Sequence, residues 1–304
     1  MELCTIGAIL KQLRKEKKIS LADMCKGLCN VAMASRIENG ERIPNRKLIE
    51  SLFERIGEKA PIEKVPTVKS DFDRRNLEFE MQSKVANANY DIIDLLDEYV
   101  SRKRTMNNLE EQFYQLYYSF YENRNLDKTE NMLERLINAL KITIEDYTIN
   151  SPIPRYMTQT EFLIFNNIAR QQYNLNQKLE AITLMESLQK HFELSFISKT
   201  EIARNMPVIL FNLSNWKEME GNQKIAIELS QYGEKICITH GNLTYLPYHI
   251  FNKGYCLAKI GNKKEAEKII SDSFQILDLM SKHDDTIYAA EIINKEFGFD
   301  FPTK

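Results

Sequence analysis

Glycine and proline are scarce in this chain, with 10 and 8 among 304 residues. A chain so poor in turn formers and rich in Leu, Ile, Glu, Lys and Asn reads as all-helical. No run of about 18 apolar residues occurs, so no transmembrane span is expected. The first residues lack a basic stretch followed by an apolar run, which argues against a signal peptide. The five cysteines (Cys4, Cys25, Cys29, Cys237, Cys256) form no Cys-x-x-Cys pair. An odd, scattered set without an export signal reads as reduced thiols in a cytoplasmic protein, packed as small hydrophobes. The four histidines are scattered, and no Cys/His spacing suits zinc. There is no Gly-rich phosphate loop, G-x-S-x-G or H-E-x-x-H. The sequence therefore offers no case for an enzyme, and no metal or other cofactor is expected.

What is present is unevenly distributed. Net charge is −2, yet residues 1–56 hold eleven Lys/Arg against seven Asp/Glu, and the rest of the chain is acidic. A basic head on an acidic body suits a nucleic-acid-binding module joined to a domain of another kind. In the head, Ile6, Ile9, Leu10 and Leu13 recur at helical spacing. Ser20 is placed to cap a second helix, and Asn30 a third, VAMASRIE. Asn39-Gly40 closes the third helix, and a fourth amphipathic helix covers 45–56. Four short helices with a tight connection between the second and third fit helix-turn-helix geometry. The run IGAILKQLRKEKKISLADMCKGLCNVAMASRIENGERIPN resembles the repressor-type DNA-binding domain shared by phage repressors and many bacterial regulators. Ala22 is expected on the inner face of the second helix, where helix three crosses, with Ala34 and Ile37 buried in helix three. The resemblance implies that Glu38 reaches back to Arg14.

Residues 59–70 carry two prolines and no helical stripe, and read as a linker. From 71 to 304 the chain is helix after helix, including a single long helix over 72–100 and another over 127–147. Three units align on Ala181, Ala226 and Ala266, each five residues after a turn residue: Asn176, Gly221 and Gly261. The last unit, YHIFNKGYCLAKIGNKKEAEKIISDSFQIL, resembles a tetratricopeptide repeat, with Gly254, Gly261 and Ala266 at its small positions. The expected architecture is all-α: a helix-turn-helix domain over 1–58 followed by a right-handed tetratricopeptide-like α-solenoid.

Fourteen residues before each alanine stands an asparagine: Asn167, Asn212 and Asn252. In tetratricopeptide superhelices this helix lines the concave groove, and an Asn amide both donates to and accepts from an extended main chain. Asn205 shares the face of Asn212, and Arg170 and Arg204 are placed to meet a carboxylate. Phe162, Phe165, Phe211, Tyr245 and Tyr248 are candidates for apolar pockets or for core. His249 reads as packing.

A repressor-type head on degenerate tetratricopeptide-like pairs resembles the Rgg/PlcR/PrgX group of Gram-positive regulators. That resemblance implies a homodimeric transcription regulator that binds a double-stranded DNA operator and senses a short signalling peptide in quorum sensing. It implies that Val31, Ala32, Ser35 and Arg36 face the major groove, with Asn30 beside a phosphate. Ser20, Asn39, Arg42 and Arg46 are further candidate phosphate contacts. The partner surface is expected on helices 263–296, around Phe274, Leu277 and Ile292. Two alternatives stay open: repeats that bind a protein or serve only dimerisation, or a repeat scaffold with a vestigial helix-turn-helix.

Overall fold

The computed structural model describes residues 5–61, 69–101, 106–125 and 129–303. Most of the expected linker, and Cys4, lie outside the described residues. All regular structure among the described residues is α-helical. The chain divides into two compact units, Met1–Leu184 with Ser195–Ser198, and Met185–Leu194 with Lys199–Lys304.

The first unit begins with α1 (Ile6–Glu16), α2 (Leu21–Cys25), α3 (Val31–Glu38) and α4 (Arg46–Arg55). Each starts where a short polar side chain accepts from a free backbone N–H of the first turn: Thr5, Ser20, Asn30 and Asn45. The head's core is Leu10, Met24, Ala34, Ile37, Ile49, Leu52 and Phe53, all fully buried or nearly so. The close crossing is not where the sequence placed it. Ala22 is exposed. The approach is instead between α1 and α3, at Gly7, where a Cβ would overlap the carbonyl oxygen of Ile37. A glycine on α1, not an alanine on α2, therefore lets these backbones meet.

Beyond the head, α5 runs Lys69–Ala86 and α6 Ile93–Ser101, so the single helix expected over 72–100 is broken. The break is chemical. The Asn87 amide bonds back to the Ser83 carbonyl, Ala88 takes φ +56°, and the Asn89 side chain accepts from the Asp91 N–H in an Asx turn. Lys69 and Ser70, assigned to the linker, already belong to α5. Then follow α7 (Asn108–Asn125), α8 (Thr129–Lys141), α9 (Gln159–Asn174) and the start of α10 (Lys178–Phe192). The expected span 127–147 thus ends as a helix at Lys141.

The head is anchored inside this unit. Arg55 on α4 donates to Glu161 on α9 at 2.6 Å and to the Tyr156 carbonyl at 2.7 Å. Glu161 also completes the capping box of α9 with Thr158, and accepts from the Thr143 hydroxyl at 2.6 Å. Gln112 of α7 donates to the same hydroxyl at 2.7 Å. Gly27, in the turn between α2 and α3, has φ +74°, and a Cβ there would overlap the Thr143 carbonyl.

The second unit holds the end of α10, then α11 (Lys199–Met219), α12 (Gln223–His240), α13 (Leu246–Lys259), α14 (Lys263–Leu279) and α15 (His283–Phe297). The repeat alignment is visible in its packing. Ala226 and Ala266 are fully buried in the first turns of α12 and α14. Gly221 and Gly261 take φ +84° and +89° in the turns before them. Twelve residues before each alanine stands a small residue that allows close packing of the pair. Gly254 has room only for hydrogen, since a Cβ would stand 2.7 Å from Ile270 Cγ1. At the equivalent place Ser214 donates to the Ala226 carbonyl at 2.9 Å and shares a 2.6 Å bond with Ser230. In the first unit Asn176 takes φ +63° and Ala181 is fully buried, which is the same register.

Pro207 lies inside α11 and has no N–H to offer the carbonyl of Ala203. The Asn242 amide fills that place at 2.5 Å. One turn on, His249 Nε2 bonds the Pro207 carbonyl at 3.1 Å, and its ring occupies the space a side chain at Gly233 would need. His249 is fully buried packing, as the sequence suggested. Phe299 and Phe301 close the unit by packing over the α14 core, where the Asn294 amide pairs with both the N–H and the C=O of Phe301.

Candidate DNA and ligand interfaces

On α3, Val31, Ala32 and Arg36 are exposed and Ser35 is half-buried. They lie on the side of the helix away from Ala34, Ile37 and Glu38, which are buried. Their backing is rigid. Arg14 grips Glu38 through two bonds, of 2.6 and 2.9 Å, and donates to the Ile19 carbonyl at 2.8 Å. The bond to Glu38 also raises the Arg14 pKa above its ordinary value. The pairing implied by the resemblance is therefore present. Arg36 is held only loosely by Glu41, at 3.9 Å, with both side chains about six-tenths exposed.

The candidate phosphate contacts differ in freedom. Ser20 and Asn30 are exposed, but both hydroxyl and amide oxygens are engaged as caps, accepting from Asp23 and Met33. Asn39 accepts from Lys11 Nζ at 2.7 Å, which brings a second cation to the end of α3. Arg42 is exposed. Arg46 is largely buried and donates to Glu50 at 3.0 Å, while Glu50 also takes Arg75. Its guanidinium is held within α4, and it is Glu50 that ties α4 to α5 through Arg75. Sequence reasoning passed over Ile43, which is 72% exposed just beyond α3.

The asparagines do not behave alike. In the first unit Asn167 is buried, donates to the Leu163 carbonyl at 2.8 Å, and accepts from the exposed Arg170 at 3.3 Å. In the second unit Asn205 is buried against Glu201, which also pairs with Arg204 at 2.9 Å. Asn212 is half-buried. Asn252 is buried, and its amide donates to the hydroxyls of Ser214 and Ser230. It therefore ties α13 to the α11/α12 pair, contrary to the expectation of an amide standing free on a groove wall.

The aromatic candidates separate in the same way. Phe162 and Phe165 are core. Phe211, Tyr245 and Tyr248 are half-buried and form one cluster, with ring centroids 5.7, 5.9 and 6.2 Å apart. The Tyr248 hydroxyl donates to Asp285 on α15 at 2.5 Å. Burial, and then that bond, pushes the Tyr248 pKa well up, so the hydroxyl stays a donor. On the C-terminal helices, Phe274 and Leu277 are core, covered by Phe251 and Phe301, and only Ile292 is exposed. Two of the three residues named for a partner surface there are therefore buried within the unit's own core.

Burial pushes the thiols of Cys29 and Cys237 up to about 11 and that of Cys256 to about 12, which leaves them as unreactive packing groups. Among the described residues no group of His, Cys, Asp or Glu is placed to hold a metal, and no helix is long and apolar enough to cross a membrane.

These features define a helix-turn-helix head continued by tetratricopeptide-like helix pairs. A helix-turn-helix family model matches residues 10–61. No curated protein sequence matches the chain. Among solved structures it is similar to PlcR of Bacillus thuringiensis in complex with the peptide PapR7 and DNA, with TM-score 0.59 and 15% identity, covering 93% of this chain and 98% of that one. The apo form of PlcR gives TM-score 0.57 at 14% identity, covering 94% and 98%. ComR from S. thermophilus, in complex with DNA and its signalling peptide ComS, gives 0.51 at 13%, covering 97% and 100%. The likeness extends over the whole architecture and shows a shared fold.

Proposed function

We propose that this chain is a cytoplasmic, sequence-specific DNA-binding transcription regulator, not an enzyme, whose helical repeats bind a short signalling peptide that controls DNA binding. The observation that carries this reading is the common fold, head and repeats together, with PlcR, solved in complex with both a peptide and DNA. Two local features support it. Val31, Ala32 and Arg36 present a free, rigidly backed face of α3. Val31 and Ala32 suit thymine methyl groups, and Arg36 supplies the polar readout. In the second unit, Phe211, Tyr245 and Tyr248 form a half-buried aromatic surface, with Asn212 next in sequence. Such a surface suits an apolar peptide side chain, and the amide suits its main chain. Asn167 with Arg170, in the first unit, is proposed separately as a further contact.

Purification of the full chain followed by mass spectrometry of co-purified small peptides identifies the ligand, and titration calorimetry then measures it. Asn212→Ala and Tyr248→Ala should each weaken that peptide roughly five- to a hundredfold. Wild-type affinity in both variants would remove the second-unit surface from the reading. A gel shift with DNA upstream of the chain's own gene tests the head, and the absence of any sequence preference there would argue for a vestigial one.

A further inference from the structure

Two tyrosines on one face of α13 each donate to a carboxylate on α15. Tyr255 donates to Glu296 at 2.6 Å, and seven residues earlier Tyr248 donates to Asp285 at 2.5 Å. Seven residues make about two helical turns, which is why both tyrosines meet the same neighbouring helix. The Tyr255 pair is completed by a cation of the chain itself. Lys259 stands 5.3 Å from the centre of the Tyr255 ring and reaches Glu296 at 3.0 Å. Ring, carboxylate and ammonium hold one another, and Glu296 above all raises the Lys259 pKa over its ordinary value.

At Tyr248 the ring and the carboxylate recur, with two more rings beside them. Phe211, Tyr245 and Tyr248 are half-buried and inclined to one another by 50, 58 and 63°. Asp285 is half-buried, and among the described residues no lysine, arginine or histidine pairs with it. Tyr248 engages one oxygen of that carboxylate, Oδ2, as a neutral donor. The bond therefore orients the carboxylate without cancelling its charge, and the second oxygen can still accept.

We propose that Phe211, Tyr245, Tyr248 and Asp285 form a subsite for a positively charged group of the ligand, an ammonium carried on an apolar stem. The inference rests on the reading that this surface of the second unit binds a peptide, and it names the chemistry that the peptide brings. The stem packs on the rings, the ammonium meets their electron-rich faces, and Asp285 takes its charge. A wholly apolar group would gain from the rings alone and would shield Asp285 from water without a counter-charge. An acidic group would be repelled. The excess of Asp and Glu in the chain beyond the head favours a cation further. A lysine side chain and a peptide amino terminus both supply the required group.

The probes are pools of synthetic heptapeptides, apolar and random except at one position, which holds lysine or norleucine. Norleucine has the same stem without the ammonium. Each pool is made with a free and with an acetylated amino terminus. The full chain is equilibrated with each pool and gel-filtered, and the retained peptides are counted by mass spectrometry. With a lysine side chain as the source, lysine peptides should be retained at least about fivefold over norleucine peptides, acetylated or not. With the amino terminus as the source, free peptides should exceed acetylated ones by about the same factor. Asp285→Asn should remove the preference and Tyr245→Leu should reduce it, while norleucine peptides are retained as before. Asp284→Asn, which neutralises the exposed carboxylate next in sequence, should leave it intact. Equal retention of all pools by the wild type, or a preference that survives both Asp285→Asn and Tyr245→Leu, would overturn the cation subsite and leave the peptide surface standing. Retention of none would overturn both.

Discussion

Arg55 on α4 and Glu161 on α9 form an ion pair that is almost fully removed from solvent, 106 residues apart in sequence and 2.6 Å apart in space. It joins the last helix of the head to the capping box of a repeat helix. Breaking a buried pair by neutralising one partner leaves the other charge uncompensated, which costs about 3–5 kcal/mol. Glu161→Gln should keep the cap and lose the pair. Denaturant unfolding followed by circular dichroism should show that loss, and a midpoint equal to wild type would show that the pair contributes nothing.

Gly7 and Ala22 make an opposed pair of tests. Gly7→Ala drives a methyl group into the Ile37 carbonyl and should cost at least about 1–3 kcal/mol. Ala22→Ser touches nothing buried and should stay within about 0.5 kcal/mol of wild type. Thermal melts of the two variants check the assignment of the close crossing to α1.

Recognition and stability should separate on α3. Arg36→Ala removes an exposed, loosely paired cation and should abolish operator preference while leaving the melting temperature alone. Asn30→Ala loses the cap on Met33 N–H and should lower stability by about 1 kcal/mol whether or not DNA is present. Fluorescence anisotropy with operator and scrambled duplexes, beside melting curves, reads both.

Burial lowers both His249 and His191 to about 4. In the unfolded chain the same imidazoles titrate near about 6.5. Each native pocket therefore favours the neutral ring. The stability this represents is fully present above pH of about 6.5 and is lost as pH falls from there toward 4, because the unfolded chain binds the protons first. The gap corresponds to about 3 kcal/mol for each histidine. A series of denaturant midpoints from pH 7 to pH 4 should fall, and His249→Gln should flatten part of that fall. A flat wild-type series would show that the rings are accessible to protons in the native state.

The legible part of this molecule was local. Caps at Ser20 and Asn30, left-handed turns at Gly221 and Gly261, and buried alanines at 226 and 266 each follow from a side chain acting on its own backbone or on the next turn. Such effects leave a residue type at a fixed offset, and the repeat spacing could be read from them. The Arg14–Glu38 pair was available only through resemblance, since no local rule links two residues on separate helices.

The rest depended on which neighbour each face met. Asn167, Asn212 and Asn252 occupy one repeat position, yet they differ in burial and in partners because Asn252 alone meets the two hydroxyls of Ser214 and Ser230. Asn294, outside that repeat position, pairs through its amide with both the N–H and the C=O of Phe301. Phe274 and Phe79 look alike in sequence, each on an amphipathic helix. The tail's Phe301 packs against Phe274, whereas among the described residues Phe79 stays 69% exposed. By itself the sequence determined where helices begin, turn and end, because those are contests within one stretch of backbone. Only the tertiary structure decided which side chains are core, which are ties and which are surface, because burial belongs to a pair of faces and no single segment carries both.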